Sequence, residues 1–145
     1  MTRADANEFC ARFAAQEGIT FSDADRAFVY ANADGHPGLA LAVCCALGRI
    51  TGAPTRNAQQ DRVIHQIVQQ NLATDANVRI ECEKIWRDLD ADEQSALFDL
   101  GRTDTLPSSL VAKHILRENE SGYALFAPLF ADFVRRQRLT HQPHA

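Results

Sequence analysis

Residues 39–47, Leu39-Ala40-Leu41-Ala42-Val43-Cys44-Cys45-Ala46-Leu47, carry no polar side chain. A helix built from them is apolar nearly all round, so other helices must surround it. Just before it stand Asp34-Gly35-His36-Pro37-Gly38. Pro37 suits the first helical position, where its missing N–H costs nothing. The free N–H groups that follow carry partial positive charge and can meet an anion or a polar ring edge.

Helical spacing continues on both sides. Phe9 and Phe13 stand four apart in a predicted helix over about residues 5–17, which Gly18 stops. Ser22-Asp23-Ala24-Asp25 has the pattern of a capping box and starts a second helix, with Phe28 and Val29 facing inward. The apolar third helix is predicted from Pro37 to about Ile50, and Gly52-Ala53-Pro54-Thr55 is a break. A fourth helix places Val63, Ile67 and Val68 on one face with Leu72 one turn on. Val78, Cys82, Ile85 and Leu89 then make the stripe of a fifth, separated from the fourth at Thr74-Asp75 or continuous with it through a kink, with Trp86 beside them as an expected core anchor. Asp90-Ala91-Asp92-Glu93 opens a sixth, which carries Ala96, Leu97 and Leu100 and ends at Gly101. Its acidic residues, with Asp88, read as a capped and solvated face.

The last third changes character. Leu110, Val111 and Ile115 predict a short helix after Ser108-Ser109. Residues 116–126 read as two short strands around a polar, Gly-containing turn, and Pro128 starts a final helix with Leu129, Phe130, Phe133 and Val134. Arg135, Arg136 and Arg138 are placed in its last turn, complementing the dipole. The expected fold class is mostly α: a helical bundle, then three helices, a β-hairpin and a further helix, which is the order of a winged helix-turn-helix.

The chain of 145 residues is long enough for one ordinary domain or two small packed ones. No run approaches the ~18 apolar residues of a membrane span, and residues 1–20 lack the pattern of a signal peptide. Cys10, Cys44, Cys45 and Cys82 form no Cys-x-x-Cys pair and no zinc-finger spacing. They point to a reduced, cytoplasmic protein without a disulfide framework or a metal site. His65 and His114 are isolated in sequence, so no catalytic residue can be assigned from spacing.

Together the elements resemble the helical lid and winged helix that follow the nucleotide-binding core in the STAND class of AAA-like P-loop ATPases. The lid likeness rests on Gly35-His36-Pro37 and its approach, Gly18-Ile19-Thr20-Phe21-Ser22-Asp23-Ala24-Asp25. The winged-helix likeness rests on residues 85–94, Ile85-Trp86-Arg87-Asp88-Leu89 onward, and on residues 122–130, Gly122-Tyr123-Ala124-Leu125-Phe126 onward. It spans about residues 8–137. It implies a lid-like bundle over 1–73, a winged helix-turn-helix over 74–139 and a disordered tail over 140–145. It also implies that Gly35, His36 and Pro37 approach a nucleotide. The family commonly has Gly where Asp34 stands and a bulky residue where Gly38 stands, and Asp34 sets negative charge beside that approach.

No Gly-x-x-x-x-Gly-Lys-Ser/Thr occurs, so this chain is expected not to be an enzyme by itself. The resemblance therefore implies a non-catalytic regulatory module. ATP or ADP would act only through a separate P-loop ATPase core, in cis or in trans. The alternatives are a winged-helix transcriptional regulator and a ligand-free adaptor that binds another protein. For the regulator, Lys113, His114, Arg117, Arg135 and Arg136 are the candidate contacts. Against it, residues 76–139 hold nine Lys and Arg and eleven Asp and Glu, a net of −2, with Glu118 and Glu120 in the turn that would meet phosphates. Membrane contact is not expected.

Overall fold

The computed structural model describes residues 2–50, 56–99, 107–119 and 122–141. Among them the fold is mostly helical with one two-stranded antiparallel sheet. Side-chain caps set most of the boundaries. In α1 (Arg3–Glu17) the Thr2 hydroxyl accepts from the Asp5 N–H while the Asp5 carboxylate accepts from the Thr2 N–H. This capping box starts the helix two residues before the phenylalanine spacing does. Gly18, at φ 68°, ends it in the left-handed conformation that suits glycine. Ser22 and Asp25 form the expected box at the start of α2 (Asp23–Ala33).

His36 caps α3 (Pro37–Gly48), with Pro37 in its first turn. Leu39, Ala40, Ala42, Val43, Cys44 and Leu47 are buried against α1, α2, α4 and α5, but Leu41 is exposed, so the helix is not surrounded on every side. α3 stops before Ile50, and the expected break at residues 52–55 lies outside the described residues. In α4 (Ala58–Leu72), capped by Asn57, half of the predicted face is buried. Val63 and Ile67 are exposed, and the buried positions are Asp61, Val68 and Leu72, with half-buried His65 between them. The buried stripe has the right spacing, but its first two members are polar, so an apolar pattern cannot find it.

Asp75 caps α5 (Ala76–Arg87) and separates it from α4. Val78, Cys82, Ile85 and Leu89 are buried as their spacing predicts. Trp86 is only half-buried; its ring lies 5.3 Å from Phe98 and 6.3 Å from Phe133 at the edge of the core. Asp90 and Glu93 box the start of α6 (Ala91–Phe98). Leu100 and Gly101 lie outside the described residues. In the short α7 (Ser108–Ala112), Leu110 is buried while Val111 is exposed.

Strands β1 (Leu116–Asn119) and β2 (Gly122–Leu125) pair with Leu116 opposite Leu125 and Asn119 opposite Gly122, so the hairpin stands where the sequence placed it. Its turn residues, Glu120 and Ser121, lie outside the described residues. α8 (Pro128–His141) runs past 139, which places Arg135 and Arg136 one turn before its end rather than in the last turn. Residues 142–145 of the expected tail lie outside the described residues. One apolar core runs through both halves of the chain: α3 packs on α5, and α2 packs on α8. No helix among the described residues is long and apolar enough to cross a membrane.

Candidate functional site

Packing α2 and α3 against the hairpin half opens a cleft of about 640 Å³. Asp34, Gly35, His36 and Pro37 form one wall; Lys113, His114 and Arg117 form the other; Ile85, Leu89, Ile115 and Phe126 supply apolar lining. Two groups of residues singled out separately in the sequence therefore share one site. The backbone is strained on both walls. Asp34 (φ 47°) and His114 (φ 62°) are the non-glycine residues with positive φ among the described residues, and both line the cleft. Such conformations cost about 1–2 kcal/mol and cluster at functional sites. At His114 the strain closes α7: the His114 N–H donates to the Val111 carbonyl and the Ile115 N–H to the Leu110 carbonyl.

The cap fixes the chemistry of His36. Its Nδ1 accepts from the Leu39 N–H at 3.1 Å, so the neutral ring carries its proton on Nε2. Burial lowers its pKa below the usual histidine value, and the nearby Glu81 carboxylate only partly opposes this. His36 is thus a neutral hydrogen-bond donor, and its ring centroid lies 5.9 Å from that of Phe126 on the hairpin side. The Glu81 carboxylate also lies beside Gly38. That carboxylate rests against the first turn of α3, where the helix N-terminus favours negative charge.

The cations of the opposite wall are paired. Arg117 Nη1 donates to Asp34 Oδ1 at 2.9 Å, which neutralises the charge that Asp34 brings to the cleft. Lys113 Nζ donates to Glu93 Oε1 at 2.8 Å and to the Asp88 carbonyl at 3.2 Å. Glu93 is buried rather than solvated, and Ser109 donates to its second oxygen. The bond from Lys113, with the Asp90 cap and Ser109, holds the Glu93 carboxyl down at about 2 and raises Lys113. Arg135 and Arg136 do not line the cleft. Both pair with Asp132 on their own helix, and Arg136 also donates to the Ala73 carbonyl at 2.9 Å.

A second polar cluster escaped the sequence reading. Asp25, fully buried, receives His65 Nε2 on Oδ1 at 2.7 Å and Arg56 on Oδ2. Arg56 Nη1 lies 3.2 Å from Asp61 Oδ1, and Ser22 donates to Asp61 Oδ2 at 3.1 Å. The His65 ring stacks on Phe28, centroids 4.6 Å apart. Burial raises the Asp25 pKa, but His65, the Ser22 cap and Arg56 together outweigh it and hold the carboxyl below its ordinary value. Asp25, Asp61 and His65 bring donor atoms within 4.8 Å of one another, a set that suits a divalent cation in type. Arg56 already lies between the two carboxylates as their counter-ion, so the cluster reads as a buried ion-pair lock joining α2 to α4. Asp61-x-x-x-His65, four apart on one helix face, was its legible half. Asp25 was hidden because its position reads fully as a cap residue.

The chain matches no family model, no curated protein and no solved structure.

Proposed function

We propose that this chain is a non-catalytic regulatory module in which a helical lid and a winged helix are coupled across the cleft, gating assembly or signalling by a nucleotide-switch ATPase. The observation that carries the reading is the meeting of Gly35-His36-Pro37 with the α7–β1 turn in one cleft, bridged by Asp34 and Arg117. A nucleotide held by a separate P-loop core would bias how the two walls dock, because an element with two arrangements responds to any ligand that prefers one. His36 would offer such a ligand one donated hydrogen bond, and Pro37 an apolar face. The alternative of duplex DNA recognition draws less support: Lys113, Arg117, Arg135 and Arg136 are each engaged within the chain.

The test is binding of this chain to the P-loop core encoded in the same reading frame or beside it, loaded with ADP or with a non-hydrolysable ATP analogue. The expected result is a difference of at least about tenfold in affinity between the two states, reduced by His36→Ala. Equal affinity for both states, no binding, or no such core encoded there overturns the reading.

A further inference from the structure

Cys10 on α1 and Cys44 on α3 stand 34 positions apart in sequence, yet their sulfur atoms lie 3.8 Å from each other and both side chains are fully buried. Among the described residues, Cys45 and Cys82 make no comparable sulfur contact. We propose that Cys10 and Cys44 form a thiol-oxidation site, which a hydroperoxide converts to a disulfide stapling α1 to α3.

Two features of the packing support this. The two thiols share a sulfur hydrogen bond in which either can donate, so whichever thiolate forms is met by the other thiol's proton; Cys10 is the member whose anion this contact favours. Cys10, with Arg26 also favouring its anion, is the member that attacks. Access comes from the weak docking of α1. Its fully buried face consists of Ala6, Cys10 and Ala14, three small side chains, with Phe9 and Phe13 half-buried beside them. Small residues remove less apolar area from water than large ones, so in this proposal a hydroperoxide reaches Cys10 by local opening of α1.

The chemistry balances. The Cys10 thiolate attacks the O–O bond of the peroxide and takes one oxygen to become a sulfenic acid, releasing the other as hydroxide, which picks up a proton to give water. The Cys44 sulfur then attacks the Cys10 sulfur and displaces the second oxygen as water. Two thiols lose two electrons and two protons, and one hydrogen peroxide becomes two waters. The product fixes α1 to the helix whose first turn carries His36 and Pro37, so oxidation would hold one wall of the cleft in its docked arrangement.

The experiment treats the full chain with hydrogen peroxide, then denatures it, alkylates and maps the peptides by mass spectrometry. The expected product has lost about 2 Da, keeps two alkylatable thiols and contains a Cys10–Cys44 linked peptide. Its α1 amides exchange hydrogen more slowly than in the reduced chain. Cys45→Ser should give the same product. Cys44→Ser should stop at a sulfenic acid on Cys10, trapped by dimedone. Four free thiols after treatment, a link to Cys45 or Cys82, a link between chains, or unchanged α1 exchange in the linked product overturns the proposal.

Discussion

Arg117 Nη1 meets Asp34 Oδ1 at 2.9 Å across 83 residues of sequence, tying the first strand of the hairpin to the residue that closes α2. The Arg117 side chain is 56% exposed, so water and salt screen the pair. Its contribution to stability is expected to be about 0.2–1 kcal/mol. Asp34→Asn is the suitable probe, because asparagine tolerates the left-handed backbone while removing the charge. A double-mutant cycle with Arg117→Gln, followed by urea unfolding, should give a coupling energy below about 1 kcal/mol that shrinks further in about 0.5 M salt. A coupling of several kcal/mol would show that the pair is far less screened than its exposure implies.

His36 makes the fold sensitive to mild acid. Its folded pKa lies below the usual value of about 6.5 because the ring is buried. The unfolded chain therefore takes up the proton first, and stability falls as pH drops below about 6.5 until the folded ring also titrates. Protonation of Nδ1 would also remove the acceptor for the Leu39 N–H and with it the α3 cap, worth about 0.5–2 kcal/mol. The urea midpoint is expected to drop between about pH 7 and 5.5. His36→Asn, which keeps a capping side chain but has no group that titrates there, should flatten that drop. An equal drop in both proteins would place the acid sensitivity elsewhere.

The buried network around Asp25 should be the costliest polar feature to break. Asp25→Ala would leave Arg56 and His65 inside the protein without their main acceptor. The expected loss is about 3–5 kcal/mol in unfolding free energy near pH 7. Asp23→Ala, at an exposed position two residues away, should cost less than about 1 kcal/mol. Because the Asp25 carboxyl is held below its ordinary value, its contribution is complete above about pH 4 and is lost as pH falls through the folded value. The gap between wild type and Asp25→Ala should therefore narrow as the pH falls below about 4.

What the sequence made legible divides along physical lines. Caps and apolar spacing are local, and they marked the starts of α2, α3 and α6, the buried stripe of α5, the hairpin and the start of α8. The polar stripe of α4 could not be read, since Asp61 and His65 face inward only because Asp25 and Arg56 are there to meet them. The same holds for the cleft. His36 and Arg117 were each visible as chemistry-bearing residues, but their shared site depends on α2 and α3 packing against the hairpin half, a long-range fact that no local pattern encodes. Glu93 reads as a plain capping residue until Lys113 and Ser109 close over it.

Trp86 offers a graded test of core packing. The spacing of its neighbours predicts a buried ring, whereas the ring is half-buried, packed at the edge of the core against Phe98 and Phe133. Fully buried tryptophans lose about 3–5 kcal/mol on truncation to alanine. At this edge position Trp86→Ala should cost about 2 kcal/mol, part of it from the lost ring contacts. Chemical denaturation monitored by far-UV circular dichroism measures it, and a loss above about 4 kcal/mol would mean that the ring is more deeply enclosed than described.

Duplex DNA binding should be weak at physiological salt. Non-specific affinity comes from Lys and Arg that neutralise phosphates and release counterions, reaching Kd values of about 10⁻⁴–10⁻⁶ M. In this chain those cations already have partners. Lys113 is bound to buried Glu93, Arg117 to Asp34, and Arg135 and Arg136 to Asp132. Releasing Lys113 would strand the Glu93 carboxylate in the core without its strongest donor. Glu118, exposed on β1, adds repulsion where a wing would approach the backbone. An anisotropy titration with a labelled duplex of about 20 base pairs in about 0.15 M salt is expected to show no saturable binding below about 10⁻⁴ M. Micromolar binding with a steep salt slope, weakened by Arg117→Gln or Lys113→Gln, would overturn this and favour the transcriptional-regulator reading over the coupled-lid one.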